Sequence, residues 1–201
     1  MAAELTVGIW AILKDEADYV EEWLAFHILQ GFSRFILYDN DSSDDTCRRA
    51  TSFAKHADLQ IVHWPDHPES FYSTQLLAYS DGARRFVGLT DYVAFIDVDE
   101  FLFASDYRPV GQVLAQFPSD VAAIAINQRV FGSAAQSRAT EDLVTSRFTR
   151  AAAPDHHENH WFKTIARTDR IVDVDSSHSV VLSSGCLCPV GRAPFAASPR
   201  T

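Results

Sequence analysis

Four apolar runs, each ending in polar or acidic residues, constrain this chain more than any other feature. Residues 5–13 (LTVGIWAIL) stop at Lys14-Asp15-Glu16, and residues 35–38 (FILY) stop at Asp39-Asn40-Asp41. Residues 59–64 (LQIVHW) close on Pro65, and residues 92–96 (YVAFI) run straight into Asp97-Val98-Asp99-Glu100. Near-continuous apolar runs of this length read as strands buried on both faces. The stretches between them carry helical signals. Val20, Trp23, Leu24, His27 and Ile28 recur at helical spacing within residues 16–30, and Gly31 supplies the stop. The turn-forming residues 39–46 lead into a second helix reaching about Ala54, and residues 70–86 are long enough for a third. Strand–helix alternation of this kind predicts an α/β fold with a mostly parallel central sheet flanked by helices. Such sheets bind ligands beyond the carboxyl ends of their strands. The clusters 14–16, 39–40 and 97–99 all fall at those ends.

Beyond Phe103 the pattern changes. Residues 121–126 and 162–166 read as strands, and 143–148 as a further one, separated by polar stretches at 131–140 and 150–159. The chain is expected to divide into one catalytic-type domain over residues 1–182 and an irregular or disordered tail over 183–201, rich in Ser, Gly, Ala, Pro and Arg.

Charge and cysteine usage narrow the partners. The 201 residues hold 17 Lys plus Arg against 27 Asp plus Glu, a net charge of −10 with histidine neutral. That balance argues against a binder of nucleic-acid phosphates. No apolar run approaches the ~18 residues that span a bilayer. The first residues, Met1-Ala2-Ala3-Glu4-Leu5, lack the basic lead-in of a secretory signal. Cys47, Cys186 and Cys188 are an odd, sparse set, which favours a reducing compartment. The expectation is a cytoplasmic protein without a transmembrane segment, peripheral membrane association being left open.

Asp97 and Asp99 are the chemical centre of the sequence. In an extended chain residues two apart share a face, so both carboxylates project together and Glu100 points the other way, steadying the pair from behind. Two adjacent like charges are tolerated when one is protonated or when a cation lies between them. Oxygen-only ligands suit Mg2+ or Mn2+. The alternative is that one Asp caps the following turn while the other is solvated. Neither reading is decided by the pattern alone.

The order of motifs resembles glycosyltransferases of the nucleotide-sugar-binding GT-A fold, specifically the family 2-like and family 92-like group. The residues that carry it are Lys14-Asp15-Glu16, Glu22-Trp23-Leu24 with His27, Tyr38-Asp39-Asn40 with Ser42, Asp44 and Thr46, and Asp97-Val98-Asp99-Glu100-Phe101-Leu102. Lys163-Thr164-Ile165-Ala166-Arg167 and the trailing His178 complete it, so the match covers about residues 5 to 180. The resemblance implies a metal-dependent transfer of a sugar from a nucleotide sugar, a UDP-sugar first among donors. The acceptor would be a hydroxyl of a glycan or lipid-linked glycan, reached with inversion. It assigns Asp97 and Asp99, with His178, to Mn2+ or Mg2+, and Lys14, Glu16, Asp39, Asn40, Gln75 and Asp97 to the nucleotide sugar. Breaking the sugar–phosphate bond leaves charge on the diphosphate, which a divalent ion stabilises.

The general base departs from the family pattern. Ser146 of Val144-Thr145-Ser146-Arg147-Phe148 stands where related enzymes carry Glu, leaving Glu141 and Asp142 as the nearest carboxylates. The segment Gln128-Arg129-Val130-Phe131-Gly132 also lacks the Trp that often precedes Phe-Gly. These departures keep open a non-catalytic, truncated nucleotide- or glycan-binding relative. A haloacid dehalogenase-type phosphatase shares an Asp-x-Asp after an apolar strand and is the other alternative. The histidines of His156-His157-Glu158-Asn159-His160 lack the spacing of zinc hydrolases and read as a polar loop.

Overall fold

The computed structural model describes residues 5–66, 71–85, 87–132, 142–190 and 195–198. The first half alternates as the apolar runs require: β1 (Val7–Leu13), α1 (Val20–Leu29), β2 (Arg34–Asp39), α2 (Thr46–Thr51), β3 (Asp58–His63), α3 (Phe71–Arg85) and β4 (Tyr92–Phe95). The second half continues with β5 (Phe101–Ala104), α4 (Val110–Leu114), β6 (Val121–Asn127), β7 (Phe131–Gly132), α5 (Val144–Arg147) and β8 (Arg150–Ala151). It ends with β9 (Phe162–Arg167), β10 (Ile171–Val174), β11 (Val180–Leu182), β12 (Cys186–Val190) and β13 (Phe195–Ser198).

Seven strands form one sheet in the order β12-β6-β9-β4-β1-β2-β3. β1 pairs in parallel with both β2 and β4, β2 with β3, and β12 with β6. β9 alone runs against its neighbours β4 and β6. The sheet is therefore mostly parallel, with its core on both faces. Alternate residues of β1 divide between two clusters. Ile9, Ala11 and Leu13 pack with α1, Phe35 and Leu37, while Trp10 and Ile12 pack with Ala78, Tyr79 and Ala83 of α3. All seven residues of β1 are buried, as a strand covered on both sides demands. Two glycines serve this packing. Gly31, at φ +90°, turns the chain out of α1 as anticipated, and at Gly82 a Cβ would lie 3.0 Å from the Trp10 ring, so the glycine lets α3 settle on the sheet.

Two expectations are corrected, and two elements are new. Residues 143–148 are not a strand; they contain the short helix α5, because Glu22 of α1 accepts the Val144 and Thr145 N–H groups at 2.6 and 3.0 Å and caps it. The 183–201 stretch is not uniformly irregular, since β12 extends the main sheet beside β6 and β13 pairs with β5. Partners far away in sequence supply that order. β5 and α4, for which no element was anticipated, pack Phe101, Leu102, Val110 and Val113 into the α1 side of the core.

Candidate functional site

The carboxyl ends of β1, β2, β3 and β4 share one edge of the sheet, and the acidic clusters stand there. At the tip of β4 the chain does not stay extended. The Glu100 N–H donates to the Asp97 carbonyl at 3.0 Å, closing a turn through Val98, whose side chain enters the core. Asp97 and Asp99 thus flank a turn rather than two positions of a strand, and the alternation expected for Glu100 does not hold. Glu100 curls back, and its Oε2 accepts the Asp97 N–H at 3.0 Å. It does steady Asp97 from behind, by this different geometry.

A buried network surrounds Asp97. Lys163 Nζ lies 2.7 Å from Asp97 Oδ2 and 3.2 Å from Glu100 Oε2. Gln75 donates to Asp97 Oδ1 at 2.8 Å, and Gln128 donates to Glu100 Oε1. Burial pushes the Glu100 carboxyl up to about 7, against the pull of Lys163. Burial disfavours the charge on Lys163, yet Glu100 and Asp97 together hold its pKa above the usual lysine value. Gln75 is thus brought to Asp97 from α3. Lys163 had no assigned role. A lysine inside the apolar run 162–166 was the available signal, since a buried lysine needs a partner.

Two further motif residues brace the same turn. Trp23 Nε1 donates to the Glu100 carbonyl at 2.8 Å. His27 Nε2 accepts the Leu102 N–H at 3.1 Å, while its Nδ1 donates to the Trp23 carbonyl at 2.8 Å. Burial drives the His27 pKa down to about 3, so the ring is neutral and fixed in one tautomer. The Glu-Trp-Leu and His elements are therefore structural struts between α1 and the segment 100–102.

At the tips of β1, β2 and β3 the side chains are wetter. Asp15 and Asp41 each adopt φ 55°, a conformation Asp tolerates better than most residues, and turn the chain sharply. Asp15 Oδ1 accepts the Ser43 N–H at 2.7 Å, the Glu16 N–H donates to Thr46 Oγ1 at 2.7 Å, and the Ala17 N–H to Asp44 Oδ2 at 3.1 Å. The 39–46 cluster is thus laced to residues 15–17. Asp39 is nearly buried and accepts the Ser42 N–H at 3.3 Å. Asn40 is fully buried and donates to the Trp64 carbonyl at 3.0 Å, so it shapes the floor of the mouth. Lys14 reaches over to Asp66 at 3.3 Å. Glu16 lies between the two regions. Burial, then the charges of Asp99, Asp44, Asp15 and Asp97, push its carboxyl up to about 7. This concentration of negative charge is what a cation would relieve.

The remaining assignments lie on the β9 side. His178 Nδ1 donates to the Phe162 carbonyl at 2.8 Å, and its ring stacks on Trp161. Asp142 is exposed, just ahead of α5, while Glu141 lies outside the described residues. Among the described residues no three His, Cys, Asp or Glu side chains converge into a ready metal-binding group, so Asp97, Asp99 and His178 do not form a closed site by themselves. The donor chemistry still fits a hard divalent ion. Mg2+ and Mn2+ sites use few carboxylates and complete their shells with substrate phosphates and water.

The family model of glycosyltransferase family 92 matches residues 4–186. The chain belongs to glycosyltransferase family 92. A family 92 protein of Oryza sativa subsp. japonica is 25% identical over 168 residues, covering 81% of this chain and 27% of the rice protein. One of Ricinus communis is 28% identical over 161 residues, covering 75% of this chain and 27% of its own. The chain thus spans about a quarter of the length of these family 92 relatives. Among solved structures, S. aureus TarS 1–349 in complex with UDP-GlcNAc superposes with TM-score 0.56 at 12% identity, covering 98% of this chain and 59% of that one. A second TarS 1–349 structure gives TM-score 0.52 at 12% identity, over 82% of this chain and 47% of that one. That likeness establishes the GT-A fold. No helix among the described residues is long and apolar enough to cross a membrane.

Proposed function

We propose that this family 92 chain binds a nucleotide sugar, a UDP-sugar first, at the β1–β4 tips and serves transfer of its sugar to a hydroxyl of a glycan or lipid-linked glycan. The observation that carries the reading is the Asp97–Asp99 turn, held by Lys163 and Gln75 and facing Glu16 across a strongly negative mouth. Lys14, Glu16, Asp39 and Asn40 shape the nucleoside end, and Asp97 and Asp99 would hold Mn2+ or Mg2+ against the diphosphate. The ion supplies Lewis-acid stabilisation of the charge left on the departing nucleoside diphosphate. Lys163, 2.7 Å from Asp97 Oδ2, fixes that carboxylate in place. His178, oriented through Nδ1, would meet the ion or the phosphate through Nε2.

In an inverting transfer the acceptor oxygen forms its bond to the anomeric carbon as the bond from that carbon to the diphosphate breaks. Its proton passes to a carboxylate. Asp142 is the described candidate, with Glu141 beside it in sequence. A cytoplasmic setting remains part of the proposal, supported by the sparse cysteines. The motif's place after the fourth strand and membership of family 92 favour this reading over the phosphatase. Ser146, in place of Glu, supports a second reading, a member that binds donor without turnover.

The test is thermal melting of the full chain with nucleoside diphosphates and nucleotide sugars, with and without Mn2+. A ligand at about 100 times its Kd should raise stability by about 2.7 kcal/mol. Asp99→Ala should remove the Mn2+-dependent part of that shift. A shift unchanged in the variant overturns the site, and binding without turnover across an acceptor panel selects the second reading.

A further inference from the structure

The sheet order sorts the strand tips by what each can hold. β2 and β9 stand on opposite sides of β1 and β4, three strand spacings apart. At about 4.8 Å per spacing that separation is about 14 Å, comparable to the reach of a nucleoside with its diphosphate. A donor whose base sits near Asp39 and whose diphosphate meets Asp97 therefore delivers its sugar toward the start of β9.

Trp161 stands there, immediately before β9, with 52% of its surface exposed, whereas Trp10 and Trp23 are buried. Its exposure is not looseness. The Trp161 carbonyl accepts the Gln128 N–H at 2.8 Å, and its own N–H donates to the Glu158 carbonyl at 3.3 Å. The turn before it is pinned by Asn159, whose Oδ1 accepts the Val130 N–H at 2.9 Å and whose Nδ2 donates to the Ala153 carbonyl at 2.8 Å. The indole stacks on the His178 ring at 5.4 Å between centroids and 28° between planes. Phe95 at the end of β4 pairs with Thr164, and the Lys163–Asp97 contact at 2.7 Å brings the start of β9 beside Asp97. On its N-terminal side Trp161 follows the polar residues His157, Glu158 and His160, and on the other side it precedes Phe162, the half-buried first residue of β9.

We propose that Trp161, backed by His178, is a stacking platform for a pyranose ring at the transfer site. This rests on the glycosyltransferase reading above and names the sugar contact within it. A pyranose presents a face of C–H groups whose hydrogens carry partial positive charge, and the indole face is the negative part of its quadrupole. The sugar's hydroxyls point outward from that stack toward polar side chains. A ring already held by its backbone and its stacked partner costs a ligand little ordering entropy.

Trp161→Ala and Trp161→Phe separate this role from the donor site. Binding of UDP with Mn2+ is measured by calorimetry. Pyranose binding is read in two arms: saturation-transfer NMR with methyl pyranosides in the presence of UDP and Mn2+, and the extra affinity of UDP-hexose over UDP. Trp161→Ala should keep UDP affinity within about twofold and weaken pyranose binding about tenfold in at least one arm, while Trp161→Phe retains most of it. Loss in the first arm assigns the platform to the acceptor sugar, and loss in the second to the donor sugar. Pyranose binding unchanged in Trp161→Ala overturns the proposal, as does an equal fall in UDP affinity, which would make Trp161 a prop for His178. If the native chain binds UDP but no pyranose in either arm, the platform fails and the donor site stands. If it binds pyranose through Trp161 but no UDP, the donor reading fails instead. Binding of neither overturns both.

Discussion

Two lysines close the two ends of the mouth, and they do so in opposite environments. Lys14, at the tip of β1, meets Asp66 at 3.3 Å with 40% and 61% of the two side chains exposed. Lys163, on β9, meets Asp97 at 2.7 Å and Glu100 at 3.2 Å with 3% of its own side chain exposed. Water screens the first pair, whereas Lys163 and Glu100 are buried and only Asp97 is partly open, so similar contacts carry different weight. The Lys14–Asp66 contact can change without disturbing the fold, whereas the Lys163 cluster is part of what the fold needs in order to stand.

The sharpest way to break that contrast is Lys163→Met. It leaves Glu100 and Asp97 without their cation in a site already short of water, and removal of one partner of a buried pair costs about 3–5 kcal/mol. Urea denaturation should show that loss, and Glu100→Gln placed on Lys163→Met should recover part of it, because the buried Lys163–Glu100 pair is then gone as a pair and only the partly exposed Asp97 lacks its cation. A loss below about 1 kcal/mol would put Lys163 in the same class as Lys14 and end the distinction.

A smaller effect appears in the pH dependence, where Glu16 lies between the two regions. Its folded-state pKa of about 7 is above the ordinary 4.5, so the folded chain binds this proton more tightly than the unfolded one. Stability from Glu16 is therefore greatest below its unfolded pKa and falls as pH rises toward 7, levelling off above it. Glu100, also raised to about 7, adds the same sign. The melting midpoint should fall from pH 5 to pH 7, and Glu16→Gln should flatten the slope. Mn2+ should raise the midpoint more at pH 7.5 than at pH 5.5, where fewer carboxylates are ionised. A midpoint that climbs through this window would mean that Glu16 is solvated and paired.

The same division governs what the residues alone disclose. β1, β2 and β4 are legible because strands covered on both faces must be apolar along their length. β3, at the sheet edge with Asp58, Gln60 and His63 exposed, departs from the two-sided burial expected of it. Asp97 and Asp99 are legible as a pair because they end such a run. The turn that brings Glu100 back onto Asp97 is not, since alternation assumes an extended chain and the i to i+3 bond ends it. Lys163 is visible as an anomaly within residues 162–166, but its partner lies 66 positions earlier, a distance no local pattern spans. α5 owes its form to Glu22, 122 residues away, and β12 to pairing of Leu187 with Ala123. Local periodicity reports burial, and it is silent where a distant side chain or strand sets the conformation.

The mildest substitution tests the exposed end. Lys14→Ala removes a pair in which both side chains meet water, and exposed pairs contribute about 0–1 kcal/mol, so the denaturation midpoint should barely move. Affinity for UDP should nonetheless fall, and the fall should shrink as salt is raised, because an exposed cation at the β1 tip attracts the anionic ligand as a whole through a screened field. Loss of binding with stability intact would mark the β1–β3 tips as surface given over to a ligand. Loss of stability without loss of binding would mean that the Lys14–Asp66 contact holds the strand tips together, and the asymmetry between the two lysines would then be one of degree.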